Sequence, residues 1–175
     1  MLFRKIRQFY KNQAGFTLIE MLAAMVITGF IGVGATMASG QVLTQTSKNS
    51  DYTTASRNAM NAIHWISRDA MMAQDVDGAE GFPQDENLSL TWTEWDNSVH
   101  SANYMLENGT LRRIYSDGSQ VRNIIIAEYI NPDEEMTNCV SYNGTLTLRI
   151  TSSVGEGTRV VNVTRIRDIT RRPSL

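Results

Sequence analysis

From Phe16 to Ala38 the chain is apolar apart from Thr17 and one early charge, Glu20; Met21 to Ala38 contains only Thr28, Thr36 and glycines among its non-apolar positions. Those 23 residues make a helix of about 34 Å, enough to cross a hydrocarbon core of roughly 30 Å. Beyond this run the pattern turns amphipathic. Tyr52, Ala55, Ala59, Ile63, Ile66, Ala70 and Ala73 recur at spacings of three and four, with Arg57, Asn61 and Arg68 between them, which predicts a helix with one face to bury. The two patterns join into one predicted helix from about Phe16 to Gln74. Asp75 to Gly78 ends it, and a loop containing Pro83 follows.

From Leu88 the period changes to two, with Leu88, Leu90 and Trp92 on one strand face. Asn108-Gly109 and Asn143-Gly144 predict hairpin turns, and Asp117-Gly118 a third turn. The last strand is expected over Arg159 to Arg167. The count comes to six or seven antiparallel strands, so the predicted fold class is α+β: a long amino-terminal helix packed on an antiparallel sheet domain.

Charge and composition narrow the picture. The chain has 175 residues, 42% of them hydrophobic, and a formal charge of −2, which suggests no nucleic-acid partner. Arg4, Lys5, Arg7 and Lys11 all precede the apolar run. Without residues 1–15, 12 of the 16 basic residues remain against 18 acidic ones. A positive leader predicts a cytoplasmic amino end and an extracytoplasmic remainder. Cys139 is the only cysteine, so no intrachain disulfide forms; it is expected as a buried strand residue.

A carboxylate at membrane depth is costly unless paired, and Glu20 sits at the start of the span. The order of a basic leader, Gly15, the aromatic Phe16, then Thr17-Leu18-Ile19-Glu20 and an unbroken apolar helix resembles the amino-terminal motif of type IV prepilins and type II secretion pseudopilins. That resemblance implies cleavage after Gly15 by a prepilin peptidase, N-methylation of Phe16, storage in the cytoplasmic membrane among lipids, and assembly with other pilin or pseudopilin subunits. Phe16 and Glu20 lie four residues apart on one helix face. The Glu20 carboxylate could therefore meet the Phe16 ammonium of an offset neighbouring chain and fix the register. The implied organisation is a leader over 1–15, an assembly helix over 16–40, an amphipathic half over 41–76 and an extracytoplasmic sheet domain over 77–175. In outline the later elements look most like the J-type minor pseudopilins and W-type minor pilins. Glu20 argues against the K-type, and the single cysteine against a major pilin with a disulfide loop.

Gly29, Gly32, Gly34 and Gly40 either soften the helix outside lipid or allow close helix packing. Asp75, Asp77, Glu80, Asp85 and Glu86 leave a weak possibility of calcium, without the spacing of a known calcium loop; no other cofactor is expected. Trp92, Trp95, Tyr104 and Tyr115 are read as packing residues before a ligand surface. His64 is placed on the amphipathic helix, and His100 in a loop near Trp95 and Asp96. No catalytic spacing surrounds these two histidines, so an enzyme is disfavoured. The competing reading is a membrane-anchored extracytoplasmic binding domain that enters no filament.

Overall fold

A computed structural model describes residues 15–84 and 86–172. Helix α1 runs from Leu18 to Met72. Eight strands follow: β1 (Asp75–Asp77), β2 (Leu88–Thr93), β3 (Val99–Glu107), β4 (Thr110–Ser116), β5 (Val121–Ala127), β6 (Asn138–Tyr142), β7 (Thr145–Val154) and β8 (Val161–Thr170), with a short 3-10 turn at Gly157–Arg159. The chain divides into two compact units, 1–46 and 47–175.

Unit 47–175 contains two antiparallel sheets, β1-β2-β3-β4-β5 and β6-β7-β8. Both are built by pairing of strands that are adjacent in sequence. At two of the turns both residues have positive φ: Asn108 (48°) and Gly109 (75°), and Asn143 (47°) and Gly144 (75°). This is the geometry whose twist suits a two-residue hairpin. Ile130 bridges to Ser152 and links the segment after β5 to the second sheet.

The helix supplies Ala55, Ala59, Ala62, Ile63, Ile66 and Ala70 to the buried interior. Alanines here let the backbone approach the sheets closely, while Ile63 and Ile66 fill the space between. Leu88, Leu90 and Trp92 point inward from β2, joined by Leu111, Leu146, Leu148 and Ile150 from the other strands. The core therefore draws on both sheets at once. Polar ties fix the helix further: Asn58 Oδ1 accepts the Glu128 backbone N–H at 2.9 Å, and Arg165 Nη2 donates to Ser56 Oγ at 3.1 Å.

The structure differs from the sequence expectation in five places. The described residues hold eight strands, not six or seven, arranged in two sheets. Asp75–Asp77 is the extra strand: it pairs with Ser89 to Thr91, and a side chain at Gly78 (φ +70°) would run into the Asn87 carbonyl, so the chain turns there without leaving the sheet. Tyr52 is 54% exposed; burial starts one turn later, at Ala55. The last strand extends to Thr170, because its pairing with β7 continues to Thr145. His100 belongs to β3, opposite Trp92, not to a loop.

Candidate functional site

The amino end of α1 is the first part of the site. Thr17 caps the helix. Its backbone N–H and its Oγ1 both donate to Glu20 Oε2 at 2.9 Å, while the Glu20 N–H reaches back to Thr17 Oγ1 at 3.4 Å. This is a reciprocal capping box, which satisfies amide groups that a helix start leaves without intrahelical partners. The carboxylate also lies in the first turn, where the helix dipole favours negative charge. Only Oε2 takes part in these bonds. The Thr-x-x-Glu spacing was a sequence signal for this box, obscured by the reading of Glu20 as an intersubunit group.

Between Leu18 and Ser50 every residue of α1 is exposed, including Phe30 (76%) and Leu43 (72%). The helix is long and apolar enough to cross a membrane. It runs without a break through Gly29, Gly32, Gly34 and Gly40, and a Cβ placed on any of the four would meet nothing within 4 Å. Hydroxyls on this segment turn back onto their own helix: Thr28 Oγ1 donates to the Ala24 carbonyl at 2.7 Å, Thr36 Oγ1 to Val33 at 2.8 Å, Ser39 Oγ to Ala35 at 2.9 Å and Thr44 Oγ1 to Gly40 at 3.0 Å. A hydroxyl placed among apolar groups is costly without such a partner. Phe16 is 83% exposed and precedes the helix together with Gly15.

Residues 10–36 match the prokaryotic N-terminal methylation motif. This motif supports a type IV pilin-like subunit, and with the apolar helix it supports membrane anchoring. Of the matched residues, 10–14 lie outside those the structure describes, as does the rest of the basic leader. No curated protein and no solved structure matched the chain.

The second part of the site is a charge network within unit 47–175. Asp69 is fully buried on the packed face of α1. Its Oδ2 accepts the Tyr104 hydroxyl at 2.6 Å and Arg113 Nε at 2.5 Å, and Arg68 Nε lies 3.5 Å from Oδ1. Burial pushes the Tyr104 phenol well above its ordinary range, and the Asp69 charge adds to the shift. Burial opposes the Arg113 cation, yet its hydrogen bond and attraction to Asp69 prevail and hold it protonated. Both guanidinium groups lie over the Trp65 ring, Arg68 at 4.2 Å and Arg113 at 5.2 Å from its centroid, within cation–π range. Sequence reasoning missed Asp69. Its place three residues after Ile66 and four before Ala73 put it on the apolar stripe, which was the available signal.

The predicted aromatic group is split up. Trp92 and Tyr104 are buried, Tyr115 is half-buried and Trp95 is 93% exposed. Trp92 stacks on His100 at 5.7 Å. Ser98 Oγ donates to Asp96 Oδ1 at 2.5 Å, so His100 Nε2 donates to Ser98 Oγ at 2.9 Å. His100 Nδ1 then accepts the Tyr115 hydroxyl at 2.6 Å. This chain of bonds pins the β2–β3 hairpin to β4. Hydrogen bonding from Ser98 holds the Asp96 carboxyl below its usual range. His64 is exposed on α1. Cys139 is buried, and burial raises its thiol to about 12. Of the acidic loop, Asp77, Glu80 and Glu86 line one open cleft; among the described residues, no three such groups converge as a metal site would require. Asp85 lies outside the described residues.

Proposed function

We propose that the chain is a minor pilin or pseudopilin, of J-type or W-type character, in a type IV filament-superfamily machine. A prepilin peptidase removes residues 1–15 by cutting after Gly15 and methylates the new amino group of Phe16. The subunit waits in the cytoplasmic membrane with residues 47–175 outside, and enters the assembly through α1. The observation that carries this reading is the methylation motif at the head of a helix whose apolar surface is left exposed among the described residues.

In an assembly the Glu20 carboxylate needs a cation. Oε2 is engaged by Thr17, so Oε1 is available to the Phe16 ammonium of an offset neighbour. Methylation preserves that charge. Two charges buried among apolar side chains specify register, because any other offset leaves both unpaired. The glycines from Gly29 to Gly40 let neighbouring helices approach closely.

The test combines processing with partner capture. Gly15→Val should retain the leader, as read by intact mass. Glu20→Gln keeps the side-chain shape and removes the charge; it should be processed normally yet co-purify poorly with partner subunits. Normal capture of Glu20→Gln would remove the charge pair from the proposal. A wild-type amino terminus that does not begin at methylated Phe16 would instead favour an anchored binding domain outside any filament.

A further inference from the structure

The four strands at the sheet edges are unequally protected. β1 is three residues long and carries Asp75 and Asp77; β6 is five residues long; β8 carries Arg165, Arg167 and Asp168. Short length and charge are the usual defences against unwanted strand pairing. β5 has neither in comparable measure. Its seven residues, Val-Arg-Asn-Ile-Ile-Ile-Ala, include one charge. Among the described strands it pairs only with β4, and Val121 (70%), Ile125 (52%) and Ile124 (38%) are exposed.

A cleft of about 430 Å³ lies beside this edge, on the face that Arg122 and Ile124 share with Arg113 and Tyr115, and Trp65 and Trp92 contribute to its wall. Arg68, Arg113 and Arg122 line it against Glu94, and Asp69, bonded to Arg113 and 3.5 Å from Arg68, brings the carboxylates near these three arginines to two. The cleft therefore has more cation than it pairs. The Trp92 indole N–H is buried and, among the described residues, has no acceptor.

We infer that β5 is a docking edge for an extended, carboxylate-bearing segment of another polypeptide. Its backbone extends the five-stranded sheet beyond β5, and acidic side chains at alternate positions enter the arginine–tryptophan cleft. Strand addition supplies affinity through main-chain bonds and selectivity through the alternating side chains. The inference is independent of the proposal for the amino end, since every group it uses lies within unit 47–175.

The probe is a capped peptide as long as β5 that alternates Glu with Val, titrated into the full chain in detergent micelles. Binding should shift the tryptophan emission and slow amide exchange along β5. Arg122 is exposed and bonded only weakly to Gln120 (3.4 Å), so Arg122→Glu should fold as the wild type and bind this peptide roughly tenfold more weakly. A matching peptide with Lys for Glu should show the opposite preference, and Ile125→Lys should weaken both. Absence of binding, or equal binding of the two peptides with no response to Arg122→Glu, overturns the inference. So does concentration-dependent self-association of the full chain that displaces the peptide and is lost in Ile125→Lys: the edge would then belong to a second copy.

Discussion

From Leu18 to Ser50, α1 exposes every residue, whereas from Ala55 to Ala70 the same helix buries eight. Each half also carries a carboxylate in an apolar setting. Asp69 is met within the chain by Arg113 and Tyr104, contributed by strands 44 and 35 positions away. Among the described residues Glu20 meets only Thr17, three residues before it. A buried charge completed inside the fold marks a self-sufficient unit. A charge completed by its own helix cap, beside exposed apolar residues, marks a segment that contributes nothing to that unit's core. The contrast places the change from exposed to packed surface on one uninterrupted helix.

The comparison is broken most forcefully at Asp69. Asp69→Ala leaves the Arg113 guanidinium buried without its anion, and should cost about 3–5 kcal/mol, read as a lower denaturation midpoint for unit 47–175 in the full chain. Replacing both Asp69 and Arg113 with apolar residues of similar size should recover much of that loss; failure to recover would mean that the network shapes the packing as well as the charge. Next, Ile66→Ala should cost about 2–4 kcal/mol as a core truncation, whereas Ile27→Ala should leave the same transition unmoved. An equal effect of the two would erase the distinction between the halves. Thr17→Ala removes the cap and should cost about 1 kcal/mol locally, visible as faster amide exchange in the first turn of α1. It keeps the Glu20 charge, so partner capture should be close to normal, and that outcome separates the cap from the proposed intersubunit pair.

The smallest effects concern isolated groups. The Cys139 thiol, raised to about 12 by burial, should resist alkylation at pH 9 and react only as unit 47–175 unfolds. Asp117 is held down at about 2 by the Gln120 and Ser119 amides and the Ser119 hydroxyl in the β4–β5 turn. Its folded-state value is depressed, so its contribution is complete above the ordinary carboxylate value near 3.9 and fades as pH falls through about 2. Asp117→Asn should therefore flatten the acid limb of the stability curve while leaving the slope above pH 5 unchanged.

What was legible in the sequence follows the range of the interactions involved. The long helix, the Asn-Gly hairpins and the inward face of β2 depend on neighbours a few positions apart, and periodicity displays them. β1 was hidden because its Asp-Val-Asp sequence reads as a helix stop, and only pairing with β2 makes it a strand. The division into two sheets follows the bend at Tyr129 (φ 58°) and the bridge from Ile130 to the distant Ser152, which no local pattern encodes. At the site, Gly15, Phe16 and Glu20 stood out through their order along the chain. Asp69 did not, because a carboxylate on an apolar stripe becomes intelligible only once Arg113 and Tyr104 arrive from distant strands.

The hydroxyls of the amino half carry a further consequence. Thr28, Thr36, Ser39, Thr44 and Thr46 each donate to a carbonyl one turn back, so at these positions the exposed helix presents methyl and methylene groups while the hydroxyls are already satisfied. Passage from hydrocarbon to a sheath of other helices then exchanges no hydrogen bonds at these positions. Between Leu18 and Gly40 the cost of moving such a helix between media therefore depends on packing and on Glu20, the one charge in that stretch. The stretch can leave one environment for another without a polar barrier at its middle, a property of the side-chain rotamers that hydropathy alone does not reveal.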